Sequence, residues 1–320
     1  MDETNKTSSV SRRDFLKTGL GVTAAGLAPL SAAGFKETVA ERLGYPKDAK
    51  LLIVHGDDLG VAHSADRASF YALEHHDVSA ASVMVPCPWL TEVVAYARQH
   101  PEADIGLHLT LNNEWDTYRW GPIAPRDRVP SLLDPDNYLW HETTETVQHG
   151  RADEVEREIR AQVEQALRMG LHPTHLDDHM VTLESRKDFY AALVKVGHDY
   201  HLPFRAVRPY LEKRGWLSML SPNDIVLDQF LEPNYHVPPD QWADSYFRML
   251  DRVQPGLNEM IVHLGYDDAE LEAITVNHTG WGAAWRQRDF NLVTSPAFKE
   301  ALRKRRITVI GWRELGKLAR

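Results

Sequence analysis

The stretch LLIVHGDDLG, residues 51–60, decides the expected fold, because an apolar strand runs out in it into two adjacent carboxylates. Asp57 and Asp58 repel each other, and a divalent cation between them relieves that repulsion. Taken alone, such a pair is commonly a turn that caps a helix. Here Gly56 and Gly60 flank the pair and allow close backbone approach. The stretch therefore favours a cation site at the end of a strand.

Apolar runs alternate with helical patterns in the rest of the chain. The predicted strands are Leu51–Val54, Ala80–Val85, Ile105–Leu111, Thr174–Leu176, Phe204–Val207, Asp224–Leu227, Glu259–Leu264 and Ile307–Ile310. The predicted helices are Ala65–His75, Leu90–Arg98, Glu154–Met169, Lys187–Tyr200, Gln241–Val253 and Pro296–Arg305. This alternation predicts an α/β fold, a single-domain distorted (β/α) TIM-like barrel over residues 50–320. A doubly wound dinucleotide-binding sheet is disfavoured, because no Gly-rich phosphate motif opens the first helix.

Residues 1–33 are predicted to be a twin-arginine signal peptide, and residues 34–49 a connector. The segment Ser11–Lys17 (SRRDFLK) holds the arginine pair, and an apolar Gly/Ala-rich stretch and small residues follow. An amphipathic helix or a retained anchor is the alternative, but the stretch falls short of the roughly 20 residues of a membrane span. We expect export by the twin-arginine machinery to the periplasm or the extracellular space.

Composition limits the partners of the chain. Asp and Glu number 46 against 36 Lys and Arg, a formal net charge of -10. This balance argues against nucleic acid and anionic membrane surfaces, which both favour a basic face. The single Cys87 excludes an intrachain disulfide and a cysteine-based zinc cluster. No further window is apolar enough to span a bilayer, so we expect a mature chain that does not cross one.

Histidines fall at the ends of three other predicted strands. His108 lies within Ile105–Leu111, His179 follows Thr174–Leu176, and His263 lies within Glu259–Leu264. An isolated buried histidine is usually part of the core. Strand ends that supply Asp and His from several strands meet at one face of a barrel, where active sites are built.

The spacing of His175 and His179 decides which of them is the candidate ligand. In an extended strand, four residues span about 13 Å, which is too far for both side chains to bind one ion. We therefore predict a metal site of Asp58, His108 and His179, with positions left open for water and substrate. His175 is predicted to lie behind the ligands or in the core.

A long segment, residues 112–150, is rich in Pro, Asp and Trp and is predicted to cap the catalytic face. Sugar stacking and core packing are equally open for four tryptophans in loop-like stretches: Trp115, Trp120, Trp281 and Trp285.

Five motifs make residues 50–315, approximately, resemble the YdjC-like carbohydrate deacetylases. This family includes chitooligosaccharide deacetylases and hopanoid-associated (HpnK-like) members, and is related to the NodB-type polysaccharide deacetylases. The motifs are LLIVHGDDLG at 51–60, SAASVMVP at 79–86, GLHLTL at 106–111, HPTHLDDH at 172–179 and EMIVHLGYDD at 259–268.

The resemblance implies metal-dependent removal of N-acetyl groups from an amino sugar or oligosaccharide. One divalent ion, Zn, Mg, Mn or Co, would be bound by the ligand set predicted above. The resemblance makes Asp57 the general base and His263 the general acid. His175, Asp177 and Arg205 are candidates for supporting or substrate contacts.

Several residues depart from the usual family pattern. Around the acidic pair, His55 replaces Asn, Gly56 replaces Ala and Leu59 replaces Phe; Val181 replaces a further His, and Leu264 replaces Pro. These changes leave the predicted ligands in place and concern the substrate.

Charge pairing with Asp57 and two rival functions also remain open. Arg205 or Arg208 would keep Asp57 ionised, with a surface ion pair as the equal alternative for each.

The rival functions are a metallohydrolase of another ester or phosphoester, and an exported glycan-binding protein without turnover. Retention of both Asp57 and His263 argues against the latter, since binding needs neither.

Replacing Arg12 and Arg13 together with Lys is expected to trap the precursor in the cytoplasm, because the arginine pair is the feature that the export receptor reads. Cell fractionation and immunoblotting measure the distribution, and Lys17→Arg is the control exchange outside the pair. Normal export of the double variant would contradict the signal assignment.

Overall fold

A curled parallel sheet organises residues 37–318, the part of the chain that the structure, a computed structural model, describes. The signal predicted at residues 1–33 lies outside the described residues. Within them the strands are β1 Lys50–Leu59, β2 Ala80–Val83, β3 Ile105–Leu109, β4 Leu176–Asp178, β5 Gln229–Leu231, β6 Gly256–Val262 and β7 Ile307–Val309. The α-helices are α1 Val39–Arg42, α2 His63–Glu74, α3 Leu90–Gln99, α4 Thr143–His149, α5 Ala152–Arg168, α6 Lys187–Tyr200, α7 Arg208–Arg214, α8 Trp242–Asp251, α9 Ala269–Ile274, α10 Ala283–Val293, α11 Pro296–Lys304 and α12 Trp312–Leu315.

The strand order is β4-β3-β2-β1-β6-β5, with every described pair parallel, and β7 pairs with the beginning of β1. The predicted α/β class with helical crossovers is confirmed. The predicted strands Phe204–Val207 and Asp224–Leu227 are wrong as strands. They contribute single parallel bridges, Leu176 to Phe204 and Val207 to Leu227, between the two edges of the sheet. Regular pairing is short there because α7 begins at Arg208.

The region predicted as a connector contains α1. Thr38 and Glu41 form a reciprocal capping box at its start, with the backbone N–H of Thr38 donating to Glu41 Oε2 at 2.8 Å. Ala40 is buried in an apolar cluster with Leu51 and Ile53 of β1. The connector is therefore packed against the domain from residue 38 onward.

Side chains inside the curled sheet change from apolar to polar along β1. Alternate residues of a strand share a face, so Leu51, Ile53, His55 and Asp57 of β1 point to the same side. Leu51 and Ile53 pack with Trp312 in the apolar cluster, whereas His55 and Asp57 are buried polar groups. The interior therefore has an apolar layer at the beginning of β1 and a polar layer toward its end. No helix among residues 37–318 is long and apolar enough to cross a membrane.

Gly106 is required where His175 crosses the inner face of β3. A Cβ atom at residue 106 would lie 2.5 Å from Nε2 of His175 and 2.6 Å from its Nδ1. The ring cannot move away easily, because it stacks on Trp312 at a centroid distance of 4.9 Å and meets His55 edge-on at 4.9 Å.

Gly106→Ala is expected to lower the free energy of unfolding by about 1–3 kcal/mol, the usual cost of overpacking a rigid interior. Gly56→Ala is the matched control in β1, since its Cβ would have its nearest contact at 3.8 Å. Urea denaturation of both variants measures the difference. Equal stabilities would show that the His175 ring adapts.

Candidate active site

An irregularity in β1 brings both acidic side chains to the same place. The pairing of β1 with β2 changes register between Gly56 and Leu59. Asp58 has a φ of 67°, a left-handed conformation that Asp adopts more readily than most residues. Adjacent side chains of a regular strand would point to opposite faces. Here Nε2 of His108 lies 3.8 Å from Oδ2 of Asp57 and 3.3 Å from Oδ1 of Asp58.

Asp58, His108 and His179 form a compact group of buried donor atoms. Oδ1 of Asp58 lies 3.3 Å from Nε2 of His108 and 3.4 Å from Nδ1 of His179. That oxygen accepts no well-formed hydrogen bond within the described residues. One ligand atom from each residue lies within 4.8 Å of the others. Two imidazoles and one carboxylate, whose buried Oδ1 is unsatisfied, fit a divalent ion with open coordination positions.

The electrostatics of this group favour a cation. Burial disfavours protonated His108, but Asp177 and Asp57 outweigh it and raise its pKa well above the ordinary value. Burial acts in the same way on His179, where Glu114 and Asp58 raise the pKa to about 9. The field that attracts a proton to these rings attracts a divalent ion to the same nitrogens, and the ion then replaces the proton.

Asp57 and His263 face each other beside this group. Nε2 of His263 lies 3.9 Å from Oδ2 of Asp57 and 4.0 Å from Oδ2 of Asp58. Burial raises the pKa of Asp57 to about 6, against the lowering effect of His108 and His55. A carboxylate with a raised pKa is a stronger base than an exposed one. His263 is the more accessible member, with 12% of its side chain exposed.

Asp289 holds the backbone at His263. Its Oδ2 accepts the backbone N–H of His263 at 3.0 Å, and its Oδ1 accepts hydrogen bonds from Trp242 and Tyr246 at 3.0 and 2.6 Å. The ring of His263 lies 4.9 Å from the ring of Trp281. His263 is thus fixed at the end of β6 with its Nε2 toward the two carboxylates.

Arg286 forms the ion pair with Asp58, and the sequence analysis did not find it. Its Nη2 donates to Oδ2 of Asp58 at 2.7 Å. Burial disfavours ionised Asp58, but Arg286, His108 and His179 together outweigh it and hold the pKa of that carboxyl well below its usual range. Because Oδ2 is engaged by Arg286, Oδ1 is the oxygen that faces the two histidines.

The two arginines predicted to hold Asp57 ionised lie elsewhere. Nε of Arg205 donates to Glu184 at 2.9 Å, and its Nη2 donates to the carbonyl oxygen of Asp178 at 3.0 Å. Nε of Arg208 donates to Asp228 at 3.2 Å. Neither arginine pairs with Asp57 here: Arg208 forms the partly exposed ion pair that was the alternative, and Arg205 forms a buried one with Glu184.

The segment 112–150 supplies one wall of the site through Glu114. Oε2 of Glu114 lies 3.0 Å from Nε2 of His179, on the opposite side of that ring from Asp58. A carboxylate behind a histidine fixes the orientation and protonation of the ring. The sequence signal for Glu114 was its place in the loop directly after β3, six residues beyond His108. Arg286 had no such signal, because α10 lies more than two hundred residues from β1.

Asp177 and His175 separate in role, although both precede His179. Oδ1 of Asp177 lies 2.8 Å from Nδ1 of His108, so Asp177 contacts the candidate ligand directly. His175 lies lower in the interior, where its Nδ1 contacts Oγ1 of Thr174 at 2.9 Å and its ring stacks on Trp312.

Three of the four tryptophans considered for sugar stacking are too buried to contact a sugar in this structure. Trp115, Trp120 and Trp285 are buried in the core. Trp281 is partly buried and lies beside His263, so sugar stacking stays open for this residue.

Comparison with known families places both parts of the chain. The model of the YdjC-like protein family matches residues 51–304. The model of the twin-arginine translocation pathway signal sequence matches residues 9–29, as predicted for the first part of the chain.

Two similar curated proteins are named carbohydrate deacetylase. The one from Enterococcus faecalis is 26% identical over 83% of this chain and 98% of its own length. The one from Thermus thermophilus is 29% identical over 82% of this chain and 92% of its own length.

A similar solved structure, also from Enterococcus faecalis, is described as that of a cellobiose-phosphate cleavage protein. It has a TM-score of 0.71 and 26% identity, and the match covers 83% of this chain and 99% of that one. Because the family model matches residues 51–304, most of its length, this chain belongs to the YdjC-like protein family.

Proposed function

We propose that this protein is a metal-dependent carbohydrate deacetylase that removes the N-acetyl group from an amino sugar or oligosaccharide. The observation that carries the proposal is the donor group Asp58, His108 and His179 beside a second carboxylate, Asp57, and an accessible histidine, His263. The names of the similar curated proteins support the reaction. The matched signal supports export by the twin-arginine route, to the periplasm or the extracellular space.

The residues divide the chemistry of amide hydrolysis between them. A divalent ion held by Asp58, His108 and His179 would supply Lewis acidity toward the acetyl carbonyl and acidify water. Asp57 would take the proton of the attacking water as general base. His263 would donate a proton to the leaving amine, because an unprotonated amine is a very poor leaving group. Arg286 would compensate the charge of Asp58, which leaves Asp57 as the carboxylate available to accept a proton.

Two rival functions make different products from the same site. A phosphoester or ester hydrolase would use the same ion and the same open positions, and the description of the solved relative includes a phosphorylated sugar. A glycan-binding protein would bind the sugar and release nothing. We favour deacetylation because an amide needs both a base and an acid, and Asp57 and His263 provide both.

Acetate release from N-acetylated mono- and oligosaccharides tests the function directly. We expect acetate and a free amine as products after loading with Zn²⁺, Mg²⁺, Mn²⁺ or Co²⁺, and loss of activity after chelation. Phosphate release from phosphorylated sugars in the same screen would favour the first rival. Binding without any product would favour the second.

Substitution of the adjacent carboxylates separates ligand from base. Asp58→Asn, His108→Ala and His179→Ala should lower bound metal and activity together. Asp57→Asn should retain the metal and lose about 10²–10⁴-fold in kcat, the usual contribution of a positioned base. His263→Ala should behave like Asp57→Asn.

Metal content and kcat of each purified variant decide between these assignments. If Asp57→Asn empties the site while Asp58→Asn leaves it full, the two roles are exchanged. If neither changes the metal content, the ion binds elsewhere.

Glu114→Gln is expected to weaken metal affinity about 10–100-fold, the usual cost of losing the carboxylate behind a histidine ligand. The change keeps the size of the side chain and removes its charge beside Nε2 of His179. Glu142→Gln is the control within the same segment, since Glu142 caps α4 at the surface. Chelator competition measures both affinities, and an unchanged value for Glu114→Gln would assign Glu114 to packing.

A further inference from the structure

A chain of buried polar groups runs below the candidate ligands through the interior of the sheet. Oδ1 of Asp177 faces Nδ1 of His108 at 2.8 Å, and Oδ2 of Asp177 accepts a hydrogen bond from Ser82 at 2.8 Å. Oγ of Ser82 lies 3.1 Å from Nε2 of His55. Nδ1 of His55 lies 3.0 Å from Oε1 of Glu259. These five residues expose 2% of their surface or less.

The end of this chain of polar groups farthest from His108 contacts the apolar cluster that contains Trp312. Nε1 of Trp312 donates to Oε1 of Glu259 at 2.8 Å, and Trp312 packs with Leu51 and Ile53. The polar chain therefore connects a rigid apolar cluster to the ring of His108. None of its members except His108 belongs to the proposed ligand set.

Counting donors and acceptors gives the chain one direction. The carboxylate of Asp177 can only accept, so the hydroxyl of Ser82 donates its single proton to Asp177. The oxygen of Ser82 must then accept from Nε2–H of His55, while Nδ1–H of His55 donates to Glu259. Both nitrogens of His55 are donors, so His55 is an imidazolium between two carboxylates.

This arrangement sets the protonation of His108. Because Oδ1 of Asp177 accepts, Nδ1 of His108 keeps its proton, and Nε2, which faces Asp58, is the nitrogen that offers a lone pair once the ion displaces its proton. A ligand histidine needs that lone pair free, and the group behind the ring fixes it. If Asp177 rotated, its hold on Nδ1 of His108 would be lost.

We propose that His55 is a positioning residue that fixes the Asp177 carboxylate through Ser82 and so presets His108 for the divalent ion. The inference rests on the proposed function in one respect, that His108 is a ligand. Burial disfavours the imidazolium of His55, but Glu259 and Asp177 outweigh it and raise its pKa to about 9, which agrees with the donor count.

A second ion is the competing explanation for the same residues. One donor atom each from His55, His175 and Asp177 lie within 4.8 Å of one another. An ion there would need a lone pair on His55, whereas the hydrogen bonds to Ser82 and Glu259 use both of its nitrogens as donors. Hydrogen bonding therefore accounts for the cluster, and the ion count tests the alternative.

Removal of single members of the chain, in the full-length protein, tests the proposal. Ser82→Ala deletes one hydroxyl, and His55→Asn deletes the imidazolium. Ser82→Thr retains the hydroxyl and is the conservative variant. His175→Asn changes the ring that meets His55 edge-on but removes none of the hydrogen bonds of the polar chain described above, and it is the packing control.

Two readouts are needed, and neither is activity. The dissociation constant for Zn²⁺ is measured by chelator competition, and nitrogen NMR of labelled histidines in the Zn²⁺-loaded protein reports the tautomer of His108, that is, which of its nitrogens carries the proton. We expect Ser82→Ala and His55→Asn to weaken Zn²⁺ binding about 10–100-fold. Both should also give His108 a mixture of protonation states. Ser82→Thr and His175→Asn should retain the wild-type affinity and tautomer.

Unchanged Zn²⁺ affinity and tautomer in Ser82→Ala would overturn the positioning role, even if His55→Asn failed to fold. Two ions per wild-type chain, falling to one in His55→Asn and His175→Asn, would overturn it in favour of a second metal site. A wild-type chain that releases no acetate, yet shows the expected weakening of Zn²⁺ binding in the variants, would defeat the proposed function and support this inference.

Discussion

Electrostatic attraction between buried carboxylates and imidazoles at the strand ends is the interaction on which the site depends. Asp57, Asp58, Asp177 and Glu114 surround His108 and His179, and all of these side chains are nearly or fully buried. Buried carboxylates are costly unless they are paired or coordinate a cation. Arg286 compensates Asp58. The two imidazole rings, each carrying a proton or bound to the ion, compensate the other carboxylates. The geometry is therefore preorganised for a cation before any substrate enters.

The curled sheet determines where this attraction acts. Parallel strands present their carboxyl ends at one face, so β1, β3, β4 and β6 deliver polar side chains to a common volume. The change of register in β1 turns two neighbouring carboxylates to the same side, which a regular strand would not do. Below them, His55 and Glu259 form a polar layer, and the apolar cluster around Trp312 forms the base. The register change in β1 thus keeps both carboxylates in place only because these two rigid layers support it.

The division of the acidic pair follows from unlike surroundings. Arg286 holds the pKa of Asp58 low, against the effect of burial, and leaves its Oδ1 toward the two histidines. Asp57 lies beside histidines, His108 and His263, and burial raises its pKa to about 6. Two identical side chains in adjacent positions are thereby separated into a permanently ionised group and one that can exchange a proton near neutral pH. A hydrolytic site needs one group of each kind.

The sequence by itself determined the α/β class, the six predicted helices and the strand ends that carry the chemistry. Helix α6 was predicted with the bounds that it has, because its apolar period is regular. Asp58, His108 and His179 were predicted as one group because each follows or ends an apolar strand, and strand ends converge. Local pattern carries this information, since the period of side chains and the direction of parallel strands are fixed by backbone geometry.

Only the tertiary structure decided the contacts between residues that are distant in the chain. Arg286 on α10 pairs with Asp58, whereas Arg205, one of the two arginines considered for Asp57, pairs with Glu184. Glu114 reaches His179 because the segment after β3 folds back over the strand ends. His55 joins Glu259 to Asp177 across three strands. No spacing along a sequence encodes such pairs, because Coulombic and hydrogen-bond energies depend on distances in space that packing alone sets.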